Sequence, residues 1–399
     1  MKANRSREWR EAEWDYDQIQ VNRLIPGSWG ALTQEEFIRE LKGIVRRCPQ
    51  FYPAVLEFAL YQASTKGGKA SERMIEKGFR LLVELAAPKD LDEQVDAVVE
   101  NLEGLWRYDI SRSLLEFLAD RRPLSAVCHD SLAHAAARLG DLKSAQHHIG
   151  EALRIEPVNK CFWSNKGLYH LMAGELEQAA DVLQRARRLK PDDPVIKGNL
   201  GIHAYLSKKG GTYFDYLLRP LDRKQIDRWA DQEKWDQVDS LCADYNGCRV
   251  EAFAQSVLLG AAKQRSGLPR LLRVLRSFFD FVEGIDSSGL FLNEDMGRMD
   301  KYFKPIMHKF IFKYGDVDHE TIEDVYNCLI AYYGFLADRG VVAPAEFREF
   351  RKSILGMKGE IIGKMERYNA IRHDPKVDDE RKEALREDLF EGDHAWPHL

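Results

Sequence analysis

The feature that most narrows what this chain can become is a stretch, residues 124–191, that repeats its own punctuation after 34 residues. Gly140 returns as Gly174, Ala145 as Ala179, Ala152 as Ala186 and Pro157 as Pro191. A unit of that length, with two runs of helical apolar spacing, a small-residue turn and a proline stop, predicts a helical hairpin. The small residues mark places where helices approach too closely for larger side chains. Each proline lacks an N–H and ends its unit. One hairpin buries too little apolar surface to stand alone, so further copies are expected.

They are legible upstream in degenerate form. Pro49, Pro88, Pro123, Pro157 and Pro191 lie 39, 35, 34 and 34 residues apart. Thr33 followed by Glu36 has the capping-box pattern and opens a helix that runs towards Pro49. Helices are also predicted over 53–63, 74–85, 91–106 and 111–119. After Pro191 a helix over 196–206 opens another copy with Leu200-Gly201, and the pattern then fails at Lys208-Lys209-Gly210-Gly211. From Thr212 onward the spacing stays helical without the repeat, over 226–230, 235–245, 250–264, 271–282, 299–314, 320–337 and 345–365, with a loop over 284–293. No stretch alternates like a strand. The domain reading is residues 1–32 as a capping segment, 33–211 as the hairpin array, 212–373 as a helical C-terminal domain and 374–399 as an acidic tail, a solvated or mobile helix that frays at its end. The first segment carries Trp9 and Trp14 and has a second reading, as a partner-binding arm.

The punctuated residues also carry a family likeness. With Trp163, Gly167, Gly174, Ala179, Ala186 and Pro191 in one copy, and Leu132, Ala133, Gly140, Ala145, Ala152 and Pro157 in the other, the unit resembles the tetratricopeptide repeat. It departs from the family at His129, Ile149 and Leu183, where bulky aromatics are preferred. The fold expected is therefore all-α, a tetratricopeptide-like helical hairpin array (an α-solenoid) followed by a helical C-terminal domain. The resemblance implies a scaffold or adaptor that holds another protein or peptide in a concave groove lined by the first helices of successive units.

Asn165 and Asn199 stand two residues before Gly167 and Gly201, where some peptide-binding members carry an asparagine ladder, and Ser131 takes the equivalent earlier place. A carboxamide there can donate to and accept from an extended peptide backbone. Local hydrogen bonding is the competing role. The neighbouring groove positions are Asp130 and His134, then Cys161, Ser164, Leu168, Leu171 and Met172, then Ile202, Tyr205 and Leu206, which grow progressively apolar. Val127 and Val195 stand where some members place charges to grip a terminal carboxylate. So apolar a groove should be covered, by the chain's own C-terminal half, by an amphipathic helix of a partner, or through self-association.

Composition sets the outer limits. Apolar residues at 44% and charged residues at 31% describe an ordinary folded chain, and a net charge of -5 argues against a general nucleic-acid binder. The local exception is the run with Arg298, Lys301, Lys304, Lys309 and Lys313 among Tyr302, Phe303, Phe310, Phe312 and Tyr314. Basic and aromatic residues together bind phosphates and stack bases, so nucleic-acid binding through these lysines is the alternative function. The same pattern also describes a buried aromatic stripe, or a dock for the acidic tail. A third function, an enzyme in the C-terminal half, has no P-loop, dinucleotide, GxSxG or HExxH motif behind it. No cofactor and no metal is expected. Asp316, Asp318, His319, Glu320, Glu323 and Asp324 read better as helix-start caps than as ligands, and the pairs His147-His148 and His394/His398 are nonspecific. The cysteines, 48, 128, 161, 242, 248 and 328, form no CxxC pair. With no apolar signal core and no run long enough to span a bilayer, the expected location is cytoplasmic.

Overall fold

Helices form where the apolar spacing places them. The computed structural model describes residues 6–24, 32–65, 67–260, 262–285, 292–314, 317–372 and 374–390. Among them are nineteen helices and no strand. The chain divides into two units, Met1–Tyr216 with Val257–Arg270, and Leu217–Ser256 with Leu271–Leu399.

The first unit is built from successive hairpins: α1 (Arg7–Leu24) with α2 (Gln34–Arg47), α3 (Tyr52–Thr65) with α4 (Lys69–Leu85), α5 (Leu91–Gly104) with α6 (Tyr108–Ala119), α7 (Ala126–Arg138) with α8 (Leu142–Ile155), and α9 (Lys160–Ala173) with α10 (Leu176–Leu189). Each proline of the ladder falls within four residues after the second helix of its hairpin. Then α11 (Pro194–Lys209) opens a further copy, followed only by the short α12 (Tyr213–Leu217). The caps are those the sequence spells. Thr33 Oγ1 accepts from the Glu36 amide at 3.2 Å while Glu36 Oε2 accepts from the Thr33 amide at 2.9 Å. Asn159 and Asp193 cap α9 and α11 more simply, each accepting from two first-turn amides. The two punctuating turn glycines, Gly140 (φ 81°) and Gly174 (φ 77°), occupy the left-handed region that closes a helix tightly.

At the N-terminal end α1 lays Trp9, Ala12 and Ile19 on the core, and the Trp9 ring meets Phe51 edge-on at 5.1 Å. Trp14 points outward, 67% exposed. Arg107, 3% exposed in its side chain, ties α4 to α6 by binding Glu72 at 2.8 Å and Asp109 at 2.9 Å. Also in this unit, the segment Val257–Arg270 places Leu259 Cδ2 only 3.1 Å from where a Cβ on Gly140 would stand.

The remaining helices are α13 (Arg223–Asp231), α14 (Trp235–Leu258), α15 (Ala262–Ile285), α16 (Met296–Lys313), α17 (His319–Asp338), α18 (Pro344–Arg372) and α19 (Asp379–Phe390), of which all but the end of α14 and the start of α15 lie in the second unit. Two predicted helices, 235–245 and 250–264, are one continuous α14 for most of that length, because Asn246-Gly247 between them weakens a helix but no proline stops it. The loop expected over 284–293 falls largely on residues outside those described. Aromatic rings make the core, with Phe253 and Phe279 each edge-on to Tyr332 and Phe303 edge-on to Tyr326.

The acid-rich end meets α16, the basic-aromatic helix, through its rings. It is not wholly solvated: Leu389 and Phe390 at the end of α19 are buried, and the Phe390 ring packs on His308, Phe312 and Tyr368 at 5.3–5.6 Å. Apolar area at the last turn outweighs the polar remainder of the helix. Burial, with Lys364 and then Lys304 beside it, pushes the His308 imidazole down to about 4. The unfolded chain therefore takes up this proton more readily than the folded one. Stability from this group is whole above about pH 6.5 and falls as the pH drops towards about 4, by up to about 1.4 kcal/mol per pH unit. His308→Gln is expected to flatten urea-unfolding midpoints across that window.

Candidate functional site

The first helices α7, α9 and α11 place the predicted groove residues at matched positions, 34 residues apart. Six of them line a half-buried face: Asp130 and His134 on α7, Asn165 and Leu168 on α9, and Ile202 and Tyr205 on α11. Others are inside. Leu171 is fully buried in a cluster with Ala179, Leu183 and Leu206, Ser164 is 2% exposed and Asn199 is 6% exposed. The 34-residue period sets the angle of each about its own helix axis. What it omitted is how closely α9 and α11 pack, which covers the side of each helix that faces its neighbour.

The asparagine ladder has local partners. Asn165 Nδ2 donates to Asp130 Oδ1 at 2.9 Å and Oδ2 at 3.1 Å, and Asn199 Nδ2 donates to Ser164 Oγ at 3.0 Å and to its carbonyl at 3.3 Å. Each amide reaches back 35 residues, one more than the repeat, to the first helix of the preceding unit. Hydrogen bonds from the ladder thus staple successive units together. The signal was present in the sequence, since an oxygen acceptor, Asp130 or Ser164, sits one place before each equivalent ladder position. Removing Asn199 leaves Ser164 buried without this donor, and Asn199→Ala is expected to cost about 1–2 kcal/mol in thermal unfolding. An unchanged melting temperature would mean that the bond does not stabilise the array.

The polar end of the face is a network. His134 Nδ1 meets Glu103 Oε2 at 2.9 Å, His134 Nε2 accepts from Arg138 Nε at 3.1 Å, and the ring stands edge-on to Tyr108 at 5.3 Å. Burial lifts the Asp130 carboxyl above its usual range, a shift that the Asn165 hydrogen bond opposes. Burial likewise raises the Tyr169 phenol, and the nearby Asp130 adds to that. Glu103, Tyr108 and Arg138 were missed by the sequence reading, although Arg138 one turn after His134 was a visible pairing. Val127 and Val195 are exposed at 43% and 60% and supply no charge to the face.

The four lysines proposed for phosphate do not converge. At about 100° per residue they spread over half the circumference of α16. Lys304 binds Glu360 at 2.8 Å, Lys309 is 9% exposed, and Lys301 lies over Tyr302 at 4.7 Å. Phe303 and Phe310 are core residues, and Phe312 is covered by Phe390. The basic-aromatic pattern here is that of a helix with an aromatic buried stripe. In the acidic cluster Asp318 caps α17, accepting from the Thr321 amide at 2.8 Å, and Glu323 binds Lys358 at 2.6 Å. No group of three or more His, Cys, Asp or Glu among the described residues is arranged to hold a metal ion. No helix among them is long and apolar enough to cross a membrane.

Residues 131–194 match the tetratricopeptide repeat family. This interval covers the half-exposed face from His134 through Leu168 and ends at the start of α11. A crystal structure described as the TPR domain of P58(IPK) aligns with 88% of this chain and 89% of its own, at 11% identity and a TM-score of 0.26. No curated protein sequence matches the chain significantly.

Proposed function

We propose that the tetratricopeptide repeats of this chain serve as a protein-interaction scaffold, holding an amphipathic helix from a partner protein along the face of α7, α9 and α11. The observation that carries this reading is the graded face itself. Leu168, Ile202 and Tyr205 are half-exposed in line, and Asp130 with His134 stands at the other end. Leaving the ring and two aliphatic side chains partly wet costs free energy that a helix with apolar residues at i, i+3 and i+4 would recover. The polar end then fixes the direction of the bound helix.

The test is affinity capture from native lysate with mass spectrometry, comparing wild type with Leu168→Asp/Ile202→Asp, which changes two half-exposed positions and is checked for folding by circular dichroism. A protein retained by wild type and lost by the folded variant supports the groove as the working surface. An identical set captured by both, or no capture by wild type, overturns it.

A further inference from the structure

Two imidazoles meet between the helices of the α7–α8 hairpin, and the groove uses neither. His129 on α7 and His148 on α8 are both half-buried, and their Nδ1 atoms face each other at 3.2 Å. The ring centroids are 5.5 Å apart and the ring planes are inclined by 31°. His147 is exposed, with its ring centroid 5.0 Å from that of His148.

Three carboxylates and two guanidiniums surround the pair. Arg112 on α6 binds Glu116 at 2.8 Å and Asp141 at 3.0 Å, and Arg154 on α8 binds Glu151 at 2.9 Å. Burial lowers the His129 imidazole below its ordinary value; Glu151 opposes the shift, while His147 and Arg154 add to it. Burial lowers His148 too, with His129, His147 and Arg112 adding to the shift and Glu116 opposing it. Both rings are therefore neutral at about pH 7, and each keeps one nitrogen lone pair. The surrounding carboxylates outnumber the guanidiniums, which favours a bound cation.

We infer that His129 and His148 together chelate one divalent transition-metal ion of the kind that imidazole prefers, Zn2+, Ni2+ or Cu2+, which clips α7 to α8. Two nitrogens at about 2.0–2.1 Å from a zinc ion and at a tetrahedral angle stand roughly 3.3–3.4 Å apart. The spacing of the pair already approaches that bite. A hydrogen bond between neutral imidazoles uses one of the two facing lone pairs, whereas an ion uses both. The ring that holds its proton on Nδ1 carries it on Nε2 instead, so no proton is lost. Mg2+ and Ca2+ take oxygen ligands and are poor occupants. Two protein ligands make an open site, whose remaining positions go to water. The site does not depend on the groove proposed above.

The test is isothermal titration of the full chain, freed of metal by chelation, with Ni2+ in excess Mg2+. Nickel is the probe because the exposed thiol of Cys161 competes more strongly for zinc. Wild type is expected to show a site for one ion that His129→Gln or His148→Gln weakens at least about tenfold. Two controls, His147→Gln and His394→Gln/His398→Gln, should keep that site. Its affinity should fall below about pH 6.5, where protons compete for the rings. Ni2+ should also raise the melting temperature of wild type and not that of either ligand variant, since the ion joins residues that only the folded hairpin brings together. One reading needs no variant: paramagnetic Ni2+ should broaden the amide resonances around 129 and 148 before others in the first unit. Absence of the site from wild type, its survival in both ligand variants, its loss with either control, or broadening centred elsewhere would overturn the inference.

Discussion

Arg249→Met is expected to destabilise the second unit by about 3–5 kcal/mol, the cost of removing one partner from a buried ion pair. Arg249 is 1% exposed. Its Nε donates to Glu294 Oε2 at 2.6 Å, Nη1 to the Leu217 carbonyl at 2.6 Å and Nη2 to the Arg219 carbonyl at 2.7 Å. One guanidinium therefore fastens α14 to the segment entering this unit and to the residues just before α16. Methionine fills similar volume but leaves Glu294, 17% exposed in its side chain, without its cation, and two carbonyls without donors. Arg249→Lys should recover little, because an ammonium cannot span three acceptors that the planar fork reaches together. Arg249→Met/Glu294→Met should recover more, since it removes the stranded carboxylate. Urea unfolding followed by circular dichroism reads all three. A single-variant loss below about 1 kcal/mol would show that water replaces the guanidinium.

The second large effect is a contrast between two glycines in first helices of the first unit. A Cβ added to Gly167 would lie 2.4 Å from Leu183 Cδ2 and 2.6 Å from its Cγ, whereas one added to Gly198 meets nothing within 4 Å. Gly198→Ala is expected to stabilise by up to about 1 kcal/mol through helix propensity. Gly167→Ala should instead cost about 2 kcal/mol, because the overpacked α9–α10 contact exceeds the same propensity gain. The separation of about 3 kcal/mol corresponds to roughly 6–12 °C in melting temperature for a unit of this size. Leu183→Ala leaves a cavity by itself, but should cost less in the Gly167→Ala background. That coupling, read by a double-mutant cycle, identifies the contact. If the two alanine variants melt together, the close approach is not what requires glycine at 167.

Much of this was legible in the residues. The 34-residue period, the ladder of prolines, the capping box at Thr33 and the turn glycines at 140 and 174 each depend on local geometry: 3.6 residues per turn, a missing N–H, a side-chain oxygen within reach of an amide, a positive φ. Such signals lie within one helix or one turn, so the chain spells them without reference to the rest of the fold. The hairpins and the face on which Leu168, Ile202 and Tyr205 would align were determined in this way.

What the sequence could not decide was which side of a helix its neighbour covers. Leu168 and Leu171 are both leucines on α9, yet the first is half-exposed and the second is sealed under α10 and α11. Asn165 and Asn199 read as a ladder open to a ligand until the 35-residue reach to Asp130 and Ser164 is measured. Lys304, Lys309 and Phe312 read as one basic surface until Glu360, the core of the second unit and Phe390 take them separately. A cleft lined by Glu57 and Glu100 has no sequence signature, because its lining comes from four helices between Tyr16 and Leu105. Periodicity gives the angle of a side chain about its own axis. Only packing between helices fixes the distance at which that angle ends, in solvent or in another side chain.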